Sequence, residues 1–252
     1  MELLNVECTK TKLGALLLED YFYFVRFGDG DLTLIEGASS EQRHKNSPEL
    51  RAELTEAIKI YDDRYIVSST AGAYGDGSGA YFWIADARVK QALDNRLKRM
   101  WCLARGDKDS YHALVFQNSL EFDPAWLKSF FTQLTRDKKV LFLAGEPLCG
   151  KSLIHKALNV NEEISFEGLS DSYYSLHHFM DTILEAVDRH DIILPVLGMG
   201  SRVLAKRLWK LGLEKTVLDL GVTVDALARA DHRGWTRRMI KDGFVDKFEE
   251  IL

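Results

Sequence analysis

Apolar residues in this chain follow two rhythms. Short unbroken runs of aromatic and β-branched residues read as strands buried on both faces, at residues 21–27 (YFYFVRF), 65–69 (YIVSS), 139–144 (KVLFLA), 191–197 (DIILPVL) and 216–220 (TVLDL), with a shorter one at 100–103. Between them the spacing becomes helical. Leu13, Leu16 and Leu17 share one face of a segment over 3–20, and Leu50, Leu54 and Ile58 do so over 48–61, which opens on Pro48. Further helices are predicted over 85–98, 110–118, 124–135 (with Trp126, Phe130 and Phe131 packing), 171–189 and 202–211, followed by a polar C-terminal region. Polar residues 38–47 and the glycine-rich stretch AGAYGDGSGAYFW from Ala71 read as loops. Alternation of strand, loop and helix predicts an α/β, Rossmann-like fold: one domain over 1–252, a mostly parallel sheet and helices on both faces. Ligands of such sheets bind at the carboxyl ends of the strands. The breaks after Phe27, Ser69, Ala144, Leu197 and Leu220 should therefore open on one rim.

Composition narrows the class. At 252 residues and 46% hydrophobic, the chain can bury a sizeable core. A net charge of -5 argues against a protein that coats nucleic acid non-specifically. Cys8, Cys102 and Cys149 are odd in number and widely spaced, which gives neither a disulfide framework nor a zinc pattern and favours a reducing compartment. The first residues lack the basic flank and apolar run of a leader, and no apolar run approaches the ~20 residues of a membrane span. The expectation is a cytoplasmic protein.

The densest candidate chemistry follows the first strand, at Gly28-Asp29-Gly30-Asp31. Like charges one residue apart, set among glycines, make a poor turn for stability alone. They suit a hard divalent cation, which takes oxygen ligands and can share them with a phosphate. The plainer alternative is a polar turn in which Asp29 or Asp31 caps a following helix.

Two loops could hold phosphate. GEPLCGKS, from Gly145 to Ser152, matches G-x-x-x-x-G-K-S between a strand and a helix; as a P-loop, Lys151 would reach the β/γ-phosphates and Ser152 would ligate magnesium. Pro147 and Leu148 stiffen it, and some 140 residues precede a motif that usually opens its domain. In LGMGSRVLAKRL, Gly198 and Gly200 open a helix with Ser201 near its start, where exposed N–H groups and the helix dipole suit a diphosphate. A tight strand-to-helix connection would use the same glycines. His177 and His178, adjacent on a helix, face different directions and form no metal pair. HRGWTRRMIK, from His232, reads first as a solvated helix face and second as a contact for an anionic acceptor, nucleic acid phosphates included. No G-x-S-x-G elbow supports a serine hydrolase.

These residues carry a family resemblance. VRFGDGDLTLIEG resembles the R-[FY]-G-D-G-E signature of the GT-D-fold glycosyltransferases, VLFLAGEPLCGKSL resembles that family's strand ending in Gly-Glu, and LPVLGMGSRVLAKRLWKLGLEKTVLDLGVTVD resembles its L-G-P-T-A-x-V-L-A…A-x-D-x-G-x-x-D segment. The similarity runs from Tyr21 to Asp225 and is weakest between Ala71 and Asp137. It implies a hexosyl- or pentosyltransferase that uses a nucleotide-diphosphate sugar as donor, with Mn2+ (or Mg2+) at Asp29 and Asp31. It places Arg26, Gly28, Gly30, Gly198, Gly200 and Ser201 around the donor, and offers Glu146 and Asp219 as candidate catalytic carboxylates beside Asp29 and Asp31. The acceptor would be a glycan or glycoprotein, or a nucleic acid carrying a modified base. Three departures from the pattern stand out: Asp31 replaces glutamate, Met199-Gly200-Ser201 replaces Pro-Thr-Ala, and Val222 stands where histidine is common. The competing readings are a P-loop nucleotidase or kinase and a non-catalytic nucleotide-sugar-binding module.

Overall fold

A computed structural model describes residues 4–37, 47–70, 86–106, 108–166, 172–231 and 233–252. Seven strands, β1 (Tyr23–Phe27), β2 (Tyr65–Ser69), β3 (Tyr111–His112), β4 (Val140–Gly145), β5 (Val160–Phe166), β6 (Ile192–Val196) and β7 (Thr216–Leu218), form one sheet in the order β3-β2-β1-β7-β6-β4-β5. Every pairing within it is parallel. β1 and β7 are neighbours, with Tyr23 opposite Val217 and Phe24 opposite Leu218.

Helices cover both faces, because strand residues alternate between two apolar layers. Tyr23, Val25 and Phe27 point into one layer, where they meet α2 (Asp29–Glu36), α3 (Pro48–Ile58), α4 (Ala87–Arg105), α8 (Ser172–Asp188) and α9 (Met199–Lys210). Phe22 and Phe24 point into the other, beside α1 (Val6–Leu16), α5 (Val115–Phe122), α6 (Pro124–Thr135), α7 (Ser152–Leu158), α10 (Val222–Leu227), α11 (Gly234–Lys241) and α12 (Phe244–Ile251). β1 therefore hands the chain to one face and β7 to the other. That divergence opens a crevice between their carboxyl ends, the usual ligand position in open parallel sheets.

α9 is fixed firmly over this crevice. Trp209 meets the edges of Tyr23 and Tyr65 at 5.1 and 5.2 Å between ring centroids, while the two tyrosines stack on each other at 5.7 Å. Its other flank is tied to α3 by charge: Arg207 lies 3.0 Å from Glu53, and buried Lys206 contacts Glu53 and, at 3.1 Å, Glu56.

Several elements differ from the sequence expectation. Residues 100–103 are not a strand but the last turns of α4, since Leu97, Met100, Trp101 and Ala104 keep helical spacing against the core. The helix expected over 110–118 starts later, after the two-residue strand β3. β5 (VNEEISF) went unread because its two glutamates break the apolar pattern; it is an edge strand, paired with β4 alone among the described residues. The polar C-terminal region holds a short buried helix, α10, and two amphipathic ones, α11 and α12, that seat Trp235, Met239, Val245 and Phe248 on the core. The glycine-rich segment and most of the 38–47 loop lie outside the described residues. No described helix is long and apolar enough to cross a membrane.

Candidate active site in the crevice between β1 and β7

The chain enters α2 directly from β1, so Asp29 and Asp31 occupy the first turn of a helix rather than an open loop. Their environments differ sharply. Asp29 is exposed, beside the N–H of Gly30 at 3.0 Å. Asp31 is 4% exposed, and its Oδ2 accepts the N–H of Gly28 at 2.7 Å, which caps the helix. The capping alternative thus holds for Asp31. Its Oδ1 is buried with no hydrogen-bond partner among the described residues.

Asp31 also meets a cation. Arg202, one turn into α9, places Nη2 3.2 Å from Asp31 Oδ2 and Nη1 3.1 Å from Asp219 Oδ2, and Nη1 also donates to the Gly198 carbonyl. Asp219, at the end of β7, accepts the N–H of Gly221 through Oδ1 at 3.0 Å. Arg26 reaches the same centre from the opposite face. Its Nη2 donates to Gln117 at 3.4 Å, while its Nε is buried without a partner among the described residues. Two arginines and two aspartates, each at least nine-tenths buried, therefore converge where β1 and β7 end.

Burial pushes the Asp31 carboxyl above the usual range, opposed by Arg202 and the Gly28 N–H. Burial pulls Arg26 downward against the counter-pull of Asp219. For Arg202 burial works against the charge, but Asp31 and Asp219 outweigh it and raise its pKa.

The Gly198 loop completes the rim. Gly198 has φ 56°, a left-handed conformation that favours glycine, and turns the chain from β6 into α9. Ser201 Oγ donates to the Pro195 carbonyl at 3.0 Å and accepts the Leu197 N–H at 2.9 Å. This hydroxyl stitches the end of β6. The first turns of α2 and α9 touch, since a Cβ on Gly30 would lie 3.6 Å from Met199 Cε. Gly28, Gly30, Gly198 and Gly200 are thus brought together with Asp29, Asp31, Asp219 and Arg26. Glu146 is not: it is exposed at the end of β4, three strands from β1, a lateral distance of roughly 14 Å at ordinary strand spacing.

A divalent cation fits this donor set as one held jointly with a substrate phosphate. Asp29 is free to turn, Asp31 Oδ1 is a buried oxygen lacking a partner, and one or two carboxylates plus phosphate oxygens are a usual magnesium environment. Among the described residues no group of three or more His, Cys, Asp or Glu could hold an ion unaided.

The P-loop match has a different fate. After β4 the chain makes a 3₁₀ turn, Glu146–Leu148. The Gly150 N–H then donates to Glu163 Oε2 at 2.9 Å, so a carboxylate takes the amide that a phosphate would need. Lys151 is exposed. In the basic stretch, Arg233 pairs with Asp225 at 3.2 Å and Arg238 with buried Glu121, so both arginines hold the C-terminal helices in place. His177 and His178 are exposed on α8, His177 packing against Tyr173. A cavity of about 260 Å³, lined in part by Asp20, Phe22, Lys138 and Asp191, opens at the amino ends of the strands, away from this chemistry.

Arg202 and Gln117 were not singled out in the sequence. Arg202 carried a signal, a cation one turn beyond a glycine loop; Gln117 carried none.

Comparisons with known proteins agree with this architecture. The model of the family described as "Glycosyltransferase GT-D fold" matches residues 24–226. A solved structure described as a new glycosyltransferase (DUF1792) from Streptococcus sanguinis superposes with a TM-score of 0.66 at 18% identity, covering 96% of this chain and 85% of its own. A second, of the domain of unknown function 1792 and described as a distinct glycosyltransferase fold, gives 0.66 at 14% identity over 90% and 80%. A selenomethionine-substituted structure of the same domain gives 0.64 at 15% over 88% and 78%. At these identities the structures speak for the fold alone. No curated protein matches the chain. With four-fifths of its length matched by the family model, the chain belongs to the GT-D-fold glycosyltransferase family.

Proposed function

We propose that this protein transfers a sugar from a nucleotide-diphosphate sugar to an acceptor hydroxyl, with Mn2+ or Mg2+ held between Asp29, Asp31 and the donor. The observation that carries this reading is the meeting of Asp31, Arg202 and the Gly198 loop at the carboxyl ends of β1 and β7, with Asp29 exposed in the same first turn of α2. In a glycosyl transfer negative charge grows on the departing diphosphate, and a site that neutralises it lowers the barrier. The bound cation would supply part of that neutralisation as a Lewis acid. The chain supplies the rest: α9 points the positive end of its dipole at the crevice, its Gly200 and Ser201 N–H groups being bonded within the turn to the Leu197 and Gly198 carbonyls, and Arg26 and Arg202 add positive charge nearby.

Asp219 is poorly placed to take a proton, being 2% exposed and paired with Arg202. Its role in this reading is to hold that arginine. Glu146 is exposed but three strands from β1, so it could accept the proton of the acceptor hydroxyl only with the donor sugar lying across the rim. The acceptor is a glycan or glycoprotein hydroxyl, with a modified nucleic acid base as the other class.

The P-loop alternative is disfavoured by the Gly150–Glu163 bond. A non-catalytic binding module would share every contact above and differ only in turnover. A panel of nucleotide sugars with Mn2+, scored for donor hydrolysis and thermal shift, tests the reading. At least one donor should raise Tm and be hydrolysed; a Tm shift without hydrolysis would favour the binding module, and no response from any donor would end the proposal.

A further inference from the structure

Asp31 and Asp219 already have a cation, and it belongs to the chain. Arg202 lies 3.2 Å from one and 3.1 Å from the other, and its guanidinium is held in addition by the Gly198 carbonyl. A divalent ion arriving at Asp31 Oδ1 would share that carboxylate with a guanidinium fixed on Oδ2. Like charges at such range in a buried site repel strongly. The formal charges of the centre, Arg26 and Arg202 against Asp31 and Asp219, cancel. Exposed Asp29 offsets one charge of an ion entering alone, which would still leave an uncompensated positive charge in a poorly solvated place. An ion entering with a diphosphate brings its own balance.

We propose that Arg202 is an internal counter-ion that must let go of Asp31 before a divalent cation can settle there, so that metal and nucleoside diphosphate bind together and neither binds well alone. The inference rests on the reading above and adds an order of events to it. Once released, Arg202 remains tethered one turn inside α9 beside the Gly198 loop, where its planar fork of donors suits a phosphate. The same side chain therefore serves the ligand-free site as a plug and the loaded site as an anion contact.

Calorimetry on the full chain separates the possibilities. Mn2+ is titrated alone and then in the presence of UDP, GDP or dTDP, into wild type, Arg202→Met and Arg202→Lys, with circular dichroism confirming the fold of each. In wild type the best diphosphate should tighten Mn2+ binding strongly, at or beyond the usual coupling range of about 5–150-fold. Arg202→Met should bind Mn2+ alone about tenfold or more tighter than wild type and lose most of that coupling. Arg202→Lys, which keeps the charge without the fork, should hold Mn2+ off as wild type does yet bind the diphosphate more weakly. The lysine arm serves by itself if the methionine variant does not fold. Unchanged Mn2+ affinity in Arg202→Met, wild-type behaviour of Arg202→Lys towards the diphosphate, or wild-type protein that takes Mn2+ equally well with and without nucleotide would overturn the proposal alone. Failure of every protein to bind any of the three diphosphates at any Mn2+ concentration would remove the glycosyltransferase reading beneath it as well.

Discussion

A Cβ placed on Gly221 would lie 1.4 Å from Nη1 of Arg26. The guanidinium of β1 thus lies against bare backbone at the start of α10, and Gly221 itself has φ 53°. Two demands meet at one position: a positive-φ backbone that side-chain-bearing residues rarely adopt, which costs them about 1–3 kcal/mol, and space that only hydrogen leaves open. Gly221→Ala should therefore lower stability by roughly 2–4 kcal/mol, the range of a strained and overpacked site. Urea unfolding measures it, and a loss below about 0.5 kcal/mol would show that Arg26 can move aside at little cost.

The two acidic residues of α2 should separate stability from function. Asp31 caps its helix and shares Arg202 with Asp219, so Asp31→Asn removes one of the two carboxylates of a buried arginine and should cost about 1–3 kcal/mol. Asp29 is exposed at the first helical position, and Asp29→Asn should stay within about 0.5 kcal/mol of wild type. Under the proposed function both variants lose metal-dependent donor hydrolysis. Asp29→Asn carries the sharper test, because full activity in this stable variant would remove Asp29 from the site.

Much of this arrangement is legible in the sequence. The buried runs match β1, β2, β4, β6 and β7, and the breaks after β1, β4, β6 and β7 do open on one rim, because parallel strands all end on the same side. Edge strands were harder to read: β5 mixes Glu162 and Glu163 into its run, and β3 is two residues long. The run from Met100 to Leu103 misled because four apolar residues fit a buried helix turn as well as a strand. Within the site, sequence could propose that Asp29 and Asp31 act as a pair but could not tell that one is buried and the other exposed. That depends on α2 starting at Asp29, which turns alternate residues to different sides. The bridge from Arg202 to both Asp31 and Asp219 spans residues far apart in the chain, and only the β1–β7 adjacency brings them together.

The GEPLCGKS segment supplies a discriminating control. Lys151 is exposed, and its neighbour's N–H is held by Glu163, which also lies 2.8 Å from His155. Lys151→Ala should leave stability within about 0.5 kcal/mol and donor hydrolysis unchanged. An ATPase or kinase activity in wild type that this variant abolishes would reverse the assignment of the loop. Glu163→Gln weakens the acceptor for Gly150 and should cost about 1 kcal/mol, visible in urea unfolding.

Alkaline stability tests the packing that holds α9 in place. Burial pushes the phenols of Tyr23 and Tyr65 well above the ordinary tyrosine range. The native state keeps both protons when the unfolded chain, titrating near pH 10, has lost them. The unfolded state then binds fewer protons, so stability must fall as pH rises above about 10, at a rate approaching 1.4 kcal/mol per pH unit for each tyrosine. The two residues differ in one respect: Tyr23 Oη donates to the Leu213 carbonyl at 2.8 Å, whereas Tyr65 Oη is buried with no partner among the described residues. Removing an unsatisfied hydroxyl while keeping the ring should be neutral or mildly stabilising at pH 7. Tyr65→Phe should do this and also remove about half of the tyrosine contribution to the alkaline slope. Lysines and cysteines titrate over the same range, so the quantity to compare is the difference between wild type and variant in urea unfolding at pH 8, 10 and 11. Parallel curves would mean that the Tyr65 phenol reaches water in the folded protein and that the stacked Tyr23–Tyr65–Trp209 seat of α9 opens to solvent.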